Sequence, residues 1–192
     1  CDWSSDVCSS DLRLDLQFRA KTMDVSRRRF LGGRKPGPAP FRPPWSVPEA
    51  RFVNTCTACD DCVKACPTGL LQRGEGGLPV ADFSAAACTF CGDCARACTT
   101  GAIGRDTTAA PWAFGIAIAE GCLAAQNVEC RVCGEACDVS AIRFRPRIGG
   151  VPLPEVDNTA CNGCGACIAP CPVSAVQRIA GVGGVTPNPE LP

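Results

Sequence analysis

The chain has 192 residues, of which 18 are cysteine, 20 glycine and 17 proline. Lys+Arg and Asp+Glu balance at 19 each, which excludes a general polyanion binder. The lack of any histidine excludes Cys₂His₂ zinc fingers and Rieske-type ligation, and no apolar run reaches membrane-spanning length.

Residues 1–22 read as a leader foreign to the rest, because CDWSSDVCSSDL resembles translated adapter sequence; the expected start is Met23, with a native disordered leader as the alternative. Residues 23–50 form a basic, Pro-rich arm. Pro36, Pro38, Pro40, Pro43 and Pro44 forbid a helix there and favour extended backbone. Ser26 to Leu31 (SRRRFL) is similar to the start of a twin-arginine export signal, but Gly32, Gly33, Arg34 and Lys35 follow where an apolar run is needed. A docking arm is therefore the expectation, with a disordered tail as the plainer alternative.

Beyond the arm the sequence repeats itself. Cys56, Cys59, Cys62 and Cys66 stand as C-x₂-C-x₂-C-x₃-C before Pro67. Cys88, Cys91, Cys94 and Cys98 repeat the spacing before Thr99, and Cys161, Cys164, Cys167 and Cys171 repeat it before Pro172. A fourth set is altered: Cys130, Cys133 and Cys137 keep the spacing, but Asn127 stands at the first position and Cys122 lies five residues too early. Leu70–Arg73, a turn at Gly74–Gly77 and Leu78–Phe83 read as a hairpin. Ala141–Arg145, Gly149-Gly150 and Val151–Val156 read as a second one. Each half thus predicts strand, cysteine loop, short helix, hairpin, cysteine loop, short helix, strand. The fold class is α+β, with two tandem dicluster ferredoxin-like units at 51–106 and 120–180, a linker at 107–119 and a flexible tail at 181–192.

Disulfides, all-cysteine zinc and iron–sulfur clusters compete for these thiols. Zinc spacings usually come as separated C-x₂-C pairs. Three cysteines two residues apart instead let a tight loop wrap one face of a cubane, its N–H groups aimed at the sulfurs. In two-cluster ferredoxins the fourth cysteine serves the other cluster. That rule groups Cys56, Cys59 and Cys62 with Cys98, and Cys88, Cys91 and Cys94 with Cys66. It groups Cys161, Cys164 and Cys167 with Cys137, which leaves Cys130, Cys133 and Cys171 with Cys122. This last set is either a fourth cluster site or a group of packing thiols. Three or four [4Fe–4S] clusters are expected. Pro67 and Pro172 are expected to shield their clusters, with Thr99 and Asp138 in the equivalent places. Trp45 and Trp112 read as packing residues or interface anchors. Without a Ser/His/Asp, Cys/His or phosphate-loop constellation, the chain is not expected to be an enzyme.

These motifs, with SRRRFLGG, FRPPW (Phe41–Trp45), GCLAAQNVECRVCGEAC (Gly121–Cys137) and AIRFRP (Ala141–Pro146), resemble the NapF-type ferredoxins of the periplasmic nitrate reductase system. The likeness spans nearly all of Met23 to Ile179. It implies a cytoplasmic accessory protein that contacts the catalytic molybdoenzyme subunit before export, for its maturation or electron supply, without binding nucleic acid. Members of that family are described with three clusters, one per regular motif. The competing function is a general ferredoxin link in a respiratory chain.

Overall fold

The computed structural model describes residues 40–104, 110–112 and 114–180. The predicted leader, the SRRRFL segment and the tail lie outside the described residues, as does part of the predicted linker.

Helix α1 (Glu49–Thr55) precedes the first cysteine loop, where a strand was expected. Pro48 just before the first turn, with Glu49 inside it, is a helix-start pattern. Phe52 is the residue this helix buries, at 0% exposure. The outer strands of the first half shrink to a single antiparallel bridge, Ser46 to Ile103. It is held by Val47 N–H to the Ala102 carbonyl (3.0 Å) and Gly104 N–H to the Trp45 carbonyl (2.8 Å).

After the first loop come α2 (Asp61–Lys64) and the predicted hairpin, trimmed to β1 (Leu71–Arg73) and β2 (Pro79–Ala81). Register Leu71↔Ala81 turns both of those side chains inward, as strand alternation requires. Gly76 and Gly77 take φ of +70° and +79° in the turn, a region open to glycine at little cost. Helix α3 (Asp93–Ala97) follows the second loop.

Phe114–Ile118, inside the segment expected to be linker, is strand β3. It pairs antiparallel with β6 (Val176–Ala180) and buries Phe114, Ile116 and Val176. Between them lie α4 (Val132–Glu135) and the second hairpin, β4 (Ile142–Arg147) with β5 (Gly150–Val156). Pro146, Pro152 and Pro154 fit these strands because, among the described residues, each sheet has only two strands, so both are edges. The helix expected after the last cysteine loop is a run of turns. Ile168 N–H reaches Gly165 and Cys171 N–H reaches Ile168, and Pro170 has no N–H to extend the ladder.

The end of the arm is part of the core. Pro43 and Pro44 are fully buried. The Phe41 ring meets Phe114 edge-on at 4.9 Å and Phe83 at 5.5 Å, and Trp112 joins the same cluster. Ala81 N–H bonds the Phe41 carbonyl at 2.6 Å, and the Trp112 indole N–H bonds the Arg42 carbonyl at 3.1 Å. Residues 40–46 are therefore not a free tail. Trp45 and Trp112 pack against this core.

Candidate metal centres

Four groups of four cysteines come together in the combinations that the fourth-cysteine rule predicts. Cys56, Cys59, Cys62 and Cys98 line a first hollow with Phe52 and Ile103. Cys66, Cys88, Cys91 and Cys94 line a second. Cys161, Cys164 and Cys167 form a third group, each within electrostatic reach of Cys137. Cys122, Cys130, Cys133 and Cys171 line the fourth. Cys122 thus joins the set despite its displaced position.

Backbone conformation explains how a short loop can present three thiols. Each regular motif has two left-handed residues: Ala58 and Asp60, Phe90 and Gly92, Gly163 and Gly165. Such alternation turns successive N–H groups to one side and makes an anion-binding concavity. The first cysteine of each regular motif accepts an N–H from two residues on, as Cys88 Sγ does from Phe90 at 3.4 Å. The altered motif is built differently: Asn127 is left-handed at φ 61°, and Arg131 sits at φ −129° where the others turn positive.

The exit from all four motifs is the same, and sequence reading passed over it. Three residues after the last cysteine, Gly69, Gly101, Ser140 and Ser174 all have positive φ. The fourth cysteine then accepts an N–H from the chain as it returns. Cys98 does so from Ile103 (3.5 Å), Cys137 from Ala141 (3.3 Å) and Cys171 from Ala175 (3.2 Å). Thr68 and Thr100 hydroxyls add contacts at 3.6 Å to Cys66 and Cys98. The signal in the sequence was the recurring Gly or Ser at this offset.

Burial, with the neighbouring cysteines adding charge, pushes Cys62 and Cys167 up to about 12 and Cys133 up to about 11. Burial likewise takes Cys88 up to about 12 and Cys94 up to about 11. At Cys66 and Cys98 burial also raises the pKa, but the hydrogen bonds from the returning chain and the threonines outweigh it, and the net shift is downward. Four thiolates in one hollow therefore require a cationic centre.

The donor set fits a cluster better than one ion. A zinc ion draws four thiolates to about 2.3 Å from a single point. Among the described residues no three Cys, Asp or Glu side chains converge that way; the cysteines stand around a hollow instead. Pro67 and Pro172 line the second and fourth hollows while showing their outer faces to solvent. Thr99 lines the first, and Asp138 is near enough to add charge at Cys164.

Two family models, both described as 4Fe-4S dicluster domain, match residues 53–103 and 128–175. The chain is 45% identical over 155 residues to the ferredoxin-type protein NapF of Escherichia coli K12, covering 80% of this chain and 94% of the relative. It is 42% identical to the NapF of Haemophilus influenzae, covering 80% and 93%.

The chain belongs to the NapF-type ferredoxins.

The methylamine utilization ferredoxin-type protein MauM of Paracoccus denitrificans is also similar, at 35% identity over 75% of this chain and 74% of the relative. As a member of the NapF family with two dicluster domains, the protein carries multiple [4Fe–4S] clusters and serves electron transfer rather than catalysis. Among the described residues no helix is long and apolar enough to cross a membrane.

Proposed function

We propose that the protein holds four [4Fe–4S] clusters, one in each cysteine group, and that it is a cytoplasmic accessory protein for the catalytic subunit of periplasmic nitrate reductase. The observation that carries the fourth cluster is Cys122. It lines one hollow with Cys130, Cys133 and Cys171, as the regular sets line theirs. Each cluster, when bound, takes up and returns one electron. The chain's own contribution is to aim N–H groups at the sulfurs and to line the second and fourth sites with Pro67 and Pro172; both effects tune potential.

The nitrate reductase role rests on the NapF relationship and on the SRRRFLGG and FRPPW segments. Reversible bleaching of the brown chromophore by a low-potential reductant tests electron carriage. Affinity purification from cells with and without the molybdoenzyme precursor tests the partner. Recovery of the precursor is expected, and its absence from repeated captures would remove the maturation reading. A second reading, a general redox link, is favoured by the similarity to MauM, whose name places it in methylamine utilization.

A further inference from the structure

Within each half, short helices already tie neighbouring cysteine groups together. Cys62 of the first group lies in α2 and Cys66 of the second just beyond it. Cys94 and Cys98 are related in the same way through α3, and Cys133 and Cys137 through α4. Among the described residues no shared helix joins the halves. Two cluster-binding residues are instead linked directly across them by a backbone hydrogen bond: the Cys88 N–H donates to the Cys164 carbonyl at 2.9 Å. Cys88 belongs to the second group and Cys164 to the third.

The surroundings hold this contact in place. Phe83, from the first half, packs on Gly165, and a Cβ there would overlap its ring. The Phe114 ring lies 3.4 Å from where a Cβ on Gly163 would stand. Trp112 bridges Phe90 in one cysteine loop, at 6.1 Å, to Phe83 at 5.3 Å and Phe114 at 5.8 Å. Two glycines in the Cys161–Cys167 loop thus let it press against Phe83 and Phe114, which pack on Trp112, the ring that meets Phe90 of the Cys88–Cys94 loop.

We propose that the Cys88–Cys164 contact is the junction across which the two halves exchange electrons, so that the chain is one continuous relay rather than two separate pairs. The proposal rests on the four-cluster reading above. One electron leaves the group held on one side and enters the group held on the other. One side is oxidised and the other reduced by a single electron, no bond is made or broken, and no proton moves. Tunnelling falls steeply with distance and faster through gaps than through bonded atoms. A hydrogen bond between the backbones of two cluster-binding residues fills that gap.

The test uses Cys56→Ala and Cys130→Ala separately, each in the full chain, to empty the first or the fourth group. Iron should fall by about four atoms per chain, one cubane. Electron paramagnetic resonance of the fully reduced variants is then recorded near liquid-helium temperature. If the junction exists, every reduced spin has a coupled neighbour, and the spectra are broadened throughout. Without it, the second or third group is left alone, and a sharp uncoupled signal of about one spin per chain would overturn the proposal. Unchanged iron overturns the cluster assignment instead, and so separates the two failures. If either variant loses more iron than that, amide exchange in the unaltered holoprotein decides. Slow exchange at Cys88 supports the junction, and exchange at the rate of an open loop overturns it.

Discussion

The Asn158 side chain grips both backbone groups of Ile116: Oδ1 accepts the Ile116 N–H at 2.9 Å, and Nδ2 donates to the Ile116 carbonyl at 3.1 Å. Ile116 is 2% exposed, and among the described residues its strand pairs only with β6, so this side chain satisfies its other edge. Asn158 also sits just ahead of Cys161, so the same grip positions the last cysteine loop. Asn158→Ala should cost about 2 kcal/mol, from two hydrogen bonds at about 1 kcal/mol each. For a chain of this length that lowers the melting temperature by about 4–8 °C. Calorimetry of the holoprotein checks it, and an unchanged melting temperature would remove Asn158 from the supports of the site.

Gly165 should tolerate no side chain. Its φ of +76° strains any L residue, and Phe83 occupies the space a Cβ needs. Gly165→Ala should destabilise by roughly 2–3 kcal/mol, backbone strain plus overpacking. It should also reduce the iron retained during gel filtration. Gly69→Ala has comparable strain at φ +69° but open space, so it should cost only about 1 kcal/mol. The difference between the two variants measures the packing against Phe83.

Residues 40–46 of the arm belong to the core. Phe41→Ala removes a half-buried ring that contacts Phe83, Phe114 and Trp112, and should cost about 3 kcal/mol. Truncation before residue 40 should leave iron content intact and weaken capture of the molybdoenzyme subunit. Truncation through Ser46 should lower iron itself, because Pro43, Pro44 and the Trp45 backbone bonds go with it. Equal iron in both truncations would contradict the placement of residues 40–46 in the core.

The grouping of the cysteines was legible because x₂, x₂ and x₃ spacings fix which thiols can share a face, and both hairpins were legible from Gly-rich turns between alternating residues. The rest depended on contacts distant in sequence. Glu49–Thr55 is a helix because its start signals act locally and Phe52 finds a buried site, whereas the symmetry of the repeat argued for a strand. Phe41 enters the core through partners at positions 83, 112 and 114 that no local pattern announces. The displaced Cys122 reaches its hollow because the chain turns back at Leu123–Val128, where Val128 N–H bonds the Leu123 carbonyl and Asn127 is left-handed.

That turn makes a further substitution informative. Cys122→Ser should remove about four irons, one cubane. Adding Asn127→Cys, which restores the regular spacing in sequence, should not return them, because Asn127 does not line the fourth hollow. Iron analysis of the single and double variants checks this. Full recovery in the double variant would mean that spacing, rather than the turn, decides which thiol is used.

Removal of the clusters should unfold the cysteine-rich region, because ligands that converge only in the folded state couple cluster binding to folding. Circular dichroism of an anaerobically chelated sample, kept reduced, should show loss of native structure. A native spectrum would mean that the aromatic core suffices.

The most direct test of the account is the iron and sulfide content of the unaltered protein, purified without oxygen. Four cysteine groups predict about 16 of each per chain, at four per cubane. About 12 would reduce Cys122, Cys130, Cys133 and Cys171 to packing thiols, and zinc as the principal metal would contradict the account outright.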